Sequence, residues 1–457
     1  MRDVTRADGA EGTTLAGSFT VSAVGDCIVT RPLLSLASGD RAFADVVTLL
    51  RSADSAFGNL ETSIVDLTDT SATPSALPDD WATRAQPESA LDLRALGFDV
   101  FGRANNHSTD WGVGGLLESS LWLDEAALVH AGAGATLAAA RAPRYLETDA
   151  GRLGLVSMTT SPASGIAPAL DAFGEVPARA GVHSVTVRTT VVVTPEVMRA
   201  LVTIREAHPE ADVAWIVQHI DPAGELPRVL ELYGRRFELG DAMAVRHEVD
   251  DEALAGNLRA IRQASQHADV VIAAAHSHQS DSSPAEPPEF LRSWAHQAVD
   301  HGADVVAVSG PHKLAPVELY RGRPIFYGLG NFVWSEVEEP VQRYFYDESR
   351  AMLRERFEDP SAVTDSDLTA VLNEDSFGND DTFRAVLARV RLGPDGLEEL
   401  RLHPVDLGRH EPATRRGVPR TPAPEVAEEI LEQVRVMSEP LGTTVKLDGG
   451  TGVVMPA

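Results

Sequence analysis

Cysteine is all but missing. Cys27 is the one thiol in 457 residues, so no disulfide can form within the chain and nothing marks it for an oxidising compartment. Aromatic residues are also few, at 6%. No apolar run approaches the about 18 residues that suggest a membrane span. Residues 1–17 mix charge with Gly, Thr and Ala, lack the apolar centre of a signal peptide, and read as a disordered N-terminus. Basic side chains are outnumbered, with 39 Lys and Arg against 68 Asp and Glu and a net charge of −29. Such a surface repels a phosphate backbone, which excludes non-specific nucleic-acid binding. The expectation is a cytoplasmic protein with neither membrane nor nucleic acid as partner, long enough to bury the core of one large domain or two.

What is present is a series of short apolar runs, each released into polar residues. The run at 19–24 ends in Gly25-Asp26, and that at 56–60 in Glu61. The run at 98–101 leads into Gly102-Arg103-Ala104-Asn105-Asn106-His107. Further along, 269–275 ends in His276-Ser277-His278 and 304–308 in Ser309-Gly310-Pro311-His312. Apolar runs of this length alternating with helical patterns, as at 87–96 and 112–129, predict the βα units of an α/β sheet covered on both faces. Strands are also expected at 152–158 and 213–217, and a long polar loop at 66–80. Residues 316–327 predict a hairpin. From about 337 the pattern changes to charged helix, then a hairpin over 383–402, then an amphipathic helix near 424–436, which together read as an appended α+β region shaping access to a site.

In an open parallel sheet the carboxyl ends of the strands share one edge, so Asp26, Glu61, Asn106, His107, His276 and His312 can converge although they span most of the chain. Two carboxylates, an amide oxygen and imidazoles are a reasonable shell for a divalent metal. Cys27 reads as a small buried residue and His278 as lying outside the ligand set or in solvent. Asp110, three residues beyond His107, can cap the next helix or orient the imidazole.

The motifs Gly25-Asp26, Gly58-Asn59-Leu60-Glu61, Ala104-Asn105-Asn106-His107 with Asp110 and Gly112, and residues 325–332 through Gly328-Leu329-Gly330-Asn331-Phe332 resemble those of the CapA, or poly-γ-glutamate capsule, family of calcineurin-like metallophosphoesterases. The likeness covers roughly residues 19–334 and implies a four-layer αββα sandwich as domain 18–336, with 337–457 appended to it. It also implies a ligand set of Asp26, Glu61, Asn106, His276 and His312, with Glu61 standing where the superfamily has a bridging Asp. Against the superfamily pattern, the first motif reads Asp26-Cys27-Ile28 where Asp-x-His is usual, and the last reads Gly310-Pro311-His312 where His-x-His is usual. Two imidazoles fewer suit one hard cation, Ca²⁺ ahead of Mn²⁺ or Mg²⁺.

With a reduced metal set, His107 with Asp110 and His312 with Asp26 become candidate acid/base pairs on opposite faces of a carbon. The chain is similar in this to the lasso-peptide epimerase branch of the CapA-like family, which inverts the Cα of a precursor peptide's C-terminal tryptophan. That likeness implies a precursor-peptide substrate, with Arg103 and Lys313 as candidates to hold its carboxylate. The competing expectations are a hydrolase or transferase acting on a phosphoester or poly-γ-glutamate, and a binding protein that has lost its chemistry.

Overall fold

A computed structural model describes residues 14–75, 82–161, 166–207, 226–279, 286–335 and 343–455. The expected strand at 213–217 and most of the expected disordered N-terminus lie outside these residues. Residues 14–17 are not free: Leu15 packs into the core, and the Thr14 hydroxyl donates to Asp269 Oδ1 at 2.6 Å.

Two sheets lie face to face. In the first, Phe19–Ile28 is flanked on one side by the parallel strands Ser55–Leu60, Val100–Gly102 and Val129–Ala131. In the second, Gly151–Thr159, Val270–His276, Val305–Ser309 and Arg323–Phe326 run parallel, with antiparallel strands at both edges. The strand Val270–His276 shows why these apolar runs sit where they do. Val270, Ile272 and Ala274 enter the core between the sheets, while Val271, Ala273 and Ala275 meet the helices Asp251–His267 and Glu289–Asp300. The period-two alternation of a strand buried on both faces requires this division. Helices Arg41–Arg51, Glu88–Leu96 and Gly112–Glu125 cover the outer face of the first sheet. The result is the expected αββα order of layers.

The C-terminal region differs from the expected appendage. The hairpin Arg384–Gly393 and Gly396–Asp406 forms as the sequence pattern predicts, but its first strand pairs antiparallel with Phe19–Ile28, Phe19 opposite Leu392. Thr451–Met455 and Thr444–Asp448 extend the same sheet. Val386, Ala388, Val390 and Leu392 alternate into the core between the sheets, so removing this region would strip the central strand of one neighbour. A second unexpected element is a four-stranded sheet of Val187–Val193, Val229–Leu232, Arg235–Leu239 and Ala244–Val249, which has a small core of its own with helix Pro195–Ala207.

Candidate metal centre

The carboxyl ends of both sheets meet over the first strand. Two tight backbone contacts set the floor. Gly25 lies so close to Gly330 that a Cβ there would stand 1.9 Å from the Gly330 carbonyl oxygen, and the next residue, Asp26, donates its N–H to that oxygen. Gly310, at φ +111°, takes a backbone conformation that side chains rarely adopt and points its N–H at Asp26 Oδ2, 3.1 Å away. Asp26 Oδ1 accepts from Asn59 Nδ2 at 2.8 Å. Burial, followed by the nearby Glu61 charge, raises the Asp26 pKa, and His276 and His312 oppose the shift.

Glu61 follows Ser55–Leu60 and is fully buried, yet neither carboxylate oxygen has a hydrogen-bond donor. Its Oε1 lies 3.3 Å from His276 Nε2, 3.9 Å from His312 Nε2 and 4.0 Å from His278 Nε2. Burial pushes the carboxyl up, but the imidazoles outweigh it and hold Glu61 well below the usual carboxylate range. Asn106 Oδ1 lies 2.7 Å from His276 Nε2 and 3.3 Å from His278 Nε2, and those two nitrogens are 3.0 Å apart.

Ligand atoms of Asp26, Glu61 and His276 lie mutually within 4.8 Å, as do those of Glu61, His278 and His312. Glu61 belongs to both groups. Carboxylate and amide oxygens crowd against the imidazole nitrogens, acceptor against acceptor wherever a ring nitrogen carries no proton, and burying the Glu61 carboxylate with no hydrogen-bond donor on either oxygen is costly. Cations among them would remove both penalties, so these residues fit the metal that the sequence implied.

Surrounding residues fix the imidazoles. His312 Nδ1 lies 2.9 Å from Asn331 Oδ1 and donates to it, which turns Nε2 toward Glu61. His312 has φ +53° and its ring meets Trp334 edge-on at 5.2 Å. Its expected partner Asp26 stands further off, at 3.7 Å. His276 Nδ1 is 2.9 Å from Ser309 Oγ. Beside the cluster, His107 Nδ1 is 2.8 Å from Asp110 Oδ2, which also accepts from the N–H and hydroxyl of Thr83. Burial raises the Asp110 pKa against the pull of His107. His107 is near enough to the cluster for its charge to act on Glu61.

Asp26, Glu61, Asn106, His276 and His312 therefore come together, with the His107–Asp110 pair alongside. His278 joins them, contrary to expectation, because the Ser161 hydroxyl holds its backbone N–H at 3.0 Å and turns the chain back. Burial followed by the His276 charge lowers the His278 pKa to about 3, keeping the ring neutral. Asn59 and Asn331, which no role had been assigned, support Asp26 and His312; both sit inside the motifs that carried the resemblance. Asn105, by contrast, builds the turn, donating to Leu60 O and accepting from the His107 N–H. Arg103 corrects an expectation. It is fully buried with its guanidinium on Ser120 Oγ and Leu116 O, and burial lowers its pKa to about 10. Packed under helix Gly112–Glu125, it cannot reach a substrate. Lys313 is exposed at the rim of a cavity beside His278 and His312. Cys27 is buried, and burial, with Asp26 and Glu61, raises its thiol pKa, so it stays protonated.

A family model described as bacterial capsule synthesis protein PGA_cap matches residues 20–336. The chain is 36% identical to the "Uncharacterized protein y4sH" of Sinorhizobium fredii over 98% of this chain and 95% of that one. It is 40% identical to the PGA biosynthesis protein CapA of Bacillus subtilis over 76 residues, 17% of this chain and 20% of that protein. A crystal structure of a novel phosphatase from Mycoplasma pneumoniae overlaps 85% of this chain and 94% of its own, with 9% identity and a TM-score of 0.36, a likeness too slight to add to the topology above.

Proposed function

The chain belongs to the bacterial capsule synthesis protein PGA_cap family, and from that premise we propose that it is a metal-dependent hydrolase of phosphoesters working with two divalent ions. The observation that carries this reading is Glu61, whose buried, donor-free carboxylate is common to two groups of three potential ligands. A shared carboxylate is how two cations are held at the separation that suits displacement at phosphorus. With His278 included, three imidazoles balance the oxygens, and the donor set favours Mn²⁺ or Zn²⁺ over the Ca²⁺ expected from a single oxygen-rich site.

Asp26, Glu61, His276, His278 and His312 would hold the divalent ions, whose chemistry there would be Lewis-acid polarisation of the scissile bond and a lowered pKa for water. The chain's own residues do the rest. Asp26 and Glu61 fix the negative side of the site. Asn331 and Ser309 hold the His312 and His276 rings. Asp110 accepts the Nδ1–H of His107, so His107 Nε2 can deliver a proton to the departing oxygen.

The test is hydrolysis of a series of phosphoesters by the metal-loaded protein. His107→Ala is expected to lower kcat by roughly 10²–10⁴ for alkyl leaving groups and far less for nitrophenyl leaving groups, which need no proton. No phosphate release from any ester would sink the proposal, and glutamate release from γ-glutamyl peptides would move the activity to amides.

One observation favours a second reading, inversion at the Cα of a peptide's C-terminal residue. His107 and His312 each have Nδ1 on an oxygen acceptor, so each can present Nε2 as a base, and two bases are what a proton exchange across one carbon needs. Deuterium uptake from D₂O at a single Cα, without hydrolysis, would select it.

A further inference from the structure

Beside the metal centre lies a cavity of about 360 Å³ whose wall the proposed chemistry does not use. His278 and His312 form part of its lining, so it opens on the place where a reacting group would sit. The rest is largely apolar: Pro288, Leu291, Leu314, Pro316, Met437 and the ring of Tyr327.

This wall is held firmly. Leu291 belongs to the core under helix Glu289–Asp300, and Leu314 to the core between the sheets. The Tyr327 hydroxyl donates to Glu318 Oε2 at 2.7 Å, and Glu318 is held in turn by Arg292 and His296, each at 3.0 Å. The ring therefore cannot swing into the cavity without leaving a buried carboxylate short of a donor. Met437 comes from helix Pro424–Ser438, whose Ser438 hydroxyl takes the N–H of Val317. Methionine fills irregular space and adapts to what lies against it.

We infer that this cavity receives an apolar, ring-sized group of the substrate joined to the bond that is cleaved. A preformed apolar pocket touching two reactive-site imidazoles is what a substrate of that shape requires. The inference deepens the hydrolase reading and rests on it for where the bond lies. Lys313 and Glu286 border the cavity with opposite charges, so selection falls to the apolar wall, and the carboxylate-holding role expected of Lys313 does not enter.

The test is calorimetric binding of two inert probes, 1-naphthylmethylphosphonate and methylphosphonate, to the Mn²⁺-loaded protein. The naphthyl probe is expected to bind tighter by on the order of tenfold or more. Met437→Trp, which fills the cavity, is expected to bring the ratio of the two affinities toward one, with circular dichroism confirming the fold. Met437→Ala, which enlarges it, is expected to shift preference toward a biphenyl probe. Equal affinity of the naphthyl and methyl probes for the unaltered protein, or a naphthyl advantage that survives Met437→Trp, would overturn the inference. A naphthyl advantage that Met437→Trp removes, in a protein that hydrolyses no ester, would keep the pocket and discard the hydrolase.

Discussion

The two sheets bring different chemistry to their common edge. Strand ends of the first sheet deliver oxygen: Asp26 and Glu61, with Asn106 just beyond Val100–Gly102. Those of the second deliver nitrogen, through His276, His278 and His312. The oxygen side is sealed, with Asp26 and Glu61 fully buried, whereas His278 and His312 line an open cavity. With the carboxylates placed deep and His278 and His312 at the mouth, a substrate entering by the cavity would meet the imidazole side first. Each group of three potential ligands draws on both sheets, so metal binding there would be linked to sandwich packing.

The sharpest way to break this division is at Glu61, the oxygen that faces all three imidazoles. Glu61→Gln is expected to lower kcat by roughly 10³, the scale of losing a principal transition-state stabiliser, and to abolish metal retention after gel filtration. Retained activity would show that Glu61 does not join the two sides.

Smaller changes ask whether each imidazole is separately supported. Asn331→Ala removes the acceptor of His312 Nδ1, and Ser309→Ala removes the hydroxyl beside His276 Nδ1. Each is expected to weaken one ion by about 10- to 100-fold and leave the other in place, as read by metal titration. Equal weakening of both ions in both variants would mean that the centre is one unit.

A change outside the cluster separates its imidazoles from others buried nearby. His183, with Nδ1 3.1 Å from Ser157 O, has its pKa lowered by burial from 6.5 to about 4. Because the folded value is depressed, the unfolded chain binds the extra proton first. The stability this neutral ring supports is therefore complete above pH 6.5 and is lost as pH falls toward 4, by roughly 3 kcal/mol at the lower limit. Urea unfolding of the metal-free protein at pH 7 and pH 5 is expected to show the loss, and His183→Asn is expected to reduce it, with the likewise depressed His130, His278 and His403 supplying what remains. An unchanged pH slope in the variant would place the titration elsewhere.

Much of this was legible in the sequence, for a physical reason. Buried parallel strands are continuous apolar runs, and the polar residue that ends each run must sit at the ligand edge, which located Asp26, Glu61, Asn106, His276 and His312. What escaped depends on contacts distant in sequence. His278 lies beyond its strand and returns through the Ser161 hydroxyl, 117 positions away. Arg103 neighbours the motif in sequence, yet its side chain goes under the following helix. The hairpin after residue 383 was visible from its pattern and turn, but its pairing with Phe19–Ile28 was not, since a local alternation states which face is buried and not which strand lies alongside.

The most direct test of the central claim is metal content against ligand substitution, measured by plasma mass spectrometry on protein loaded with Mn²⁺ and desalted. Two equivalents per chain are expected in the unaltered protein, one in His278→Ala and none in Glu61→Gln. A single equivalent that survives His278→Ala unchanged would contradict the shared-carboxylate centre and return the site to one ion.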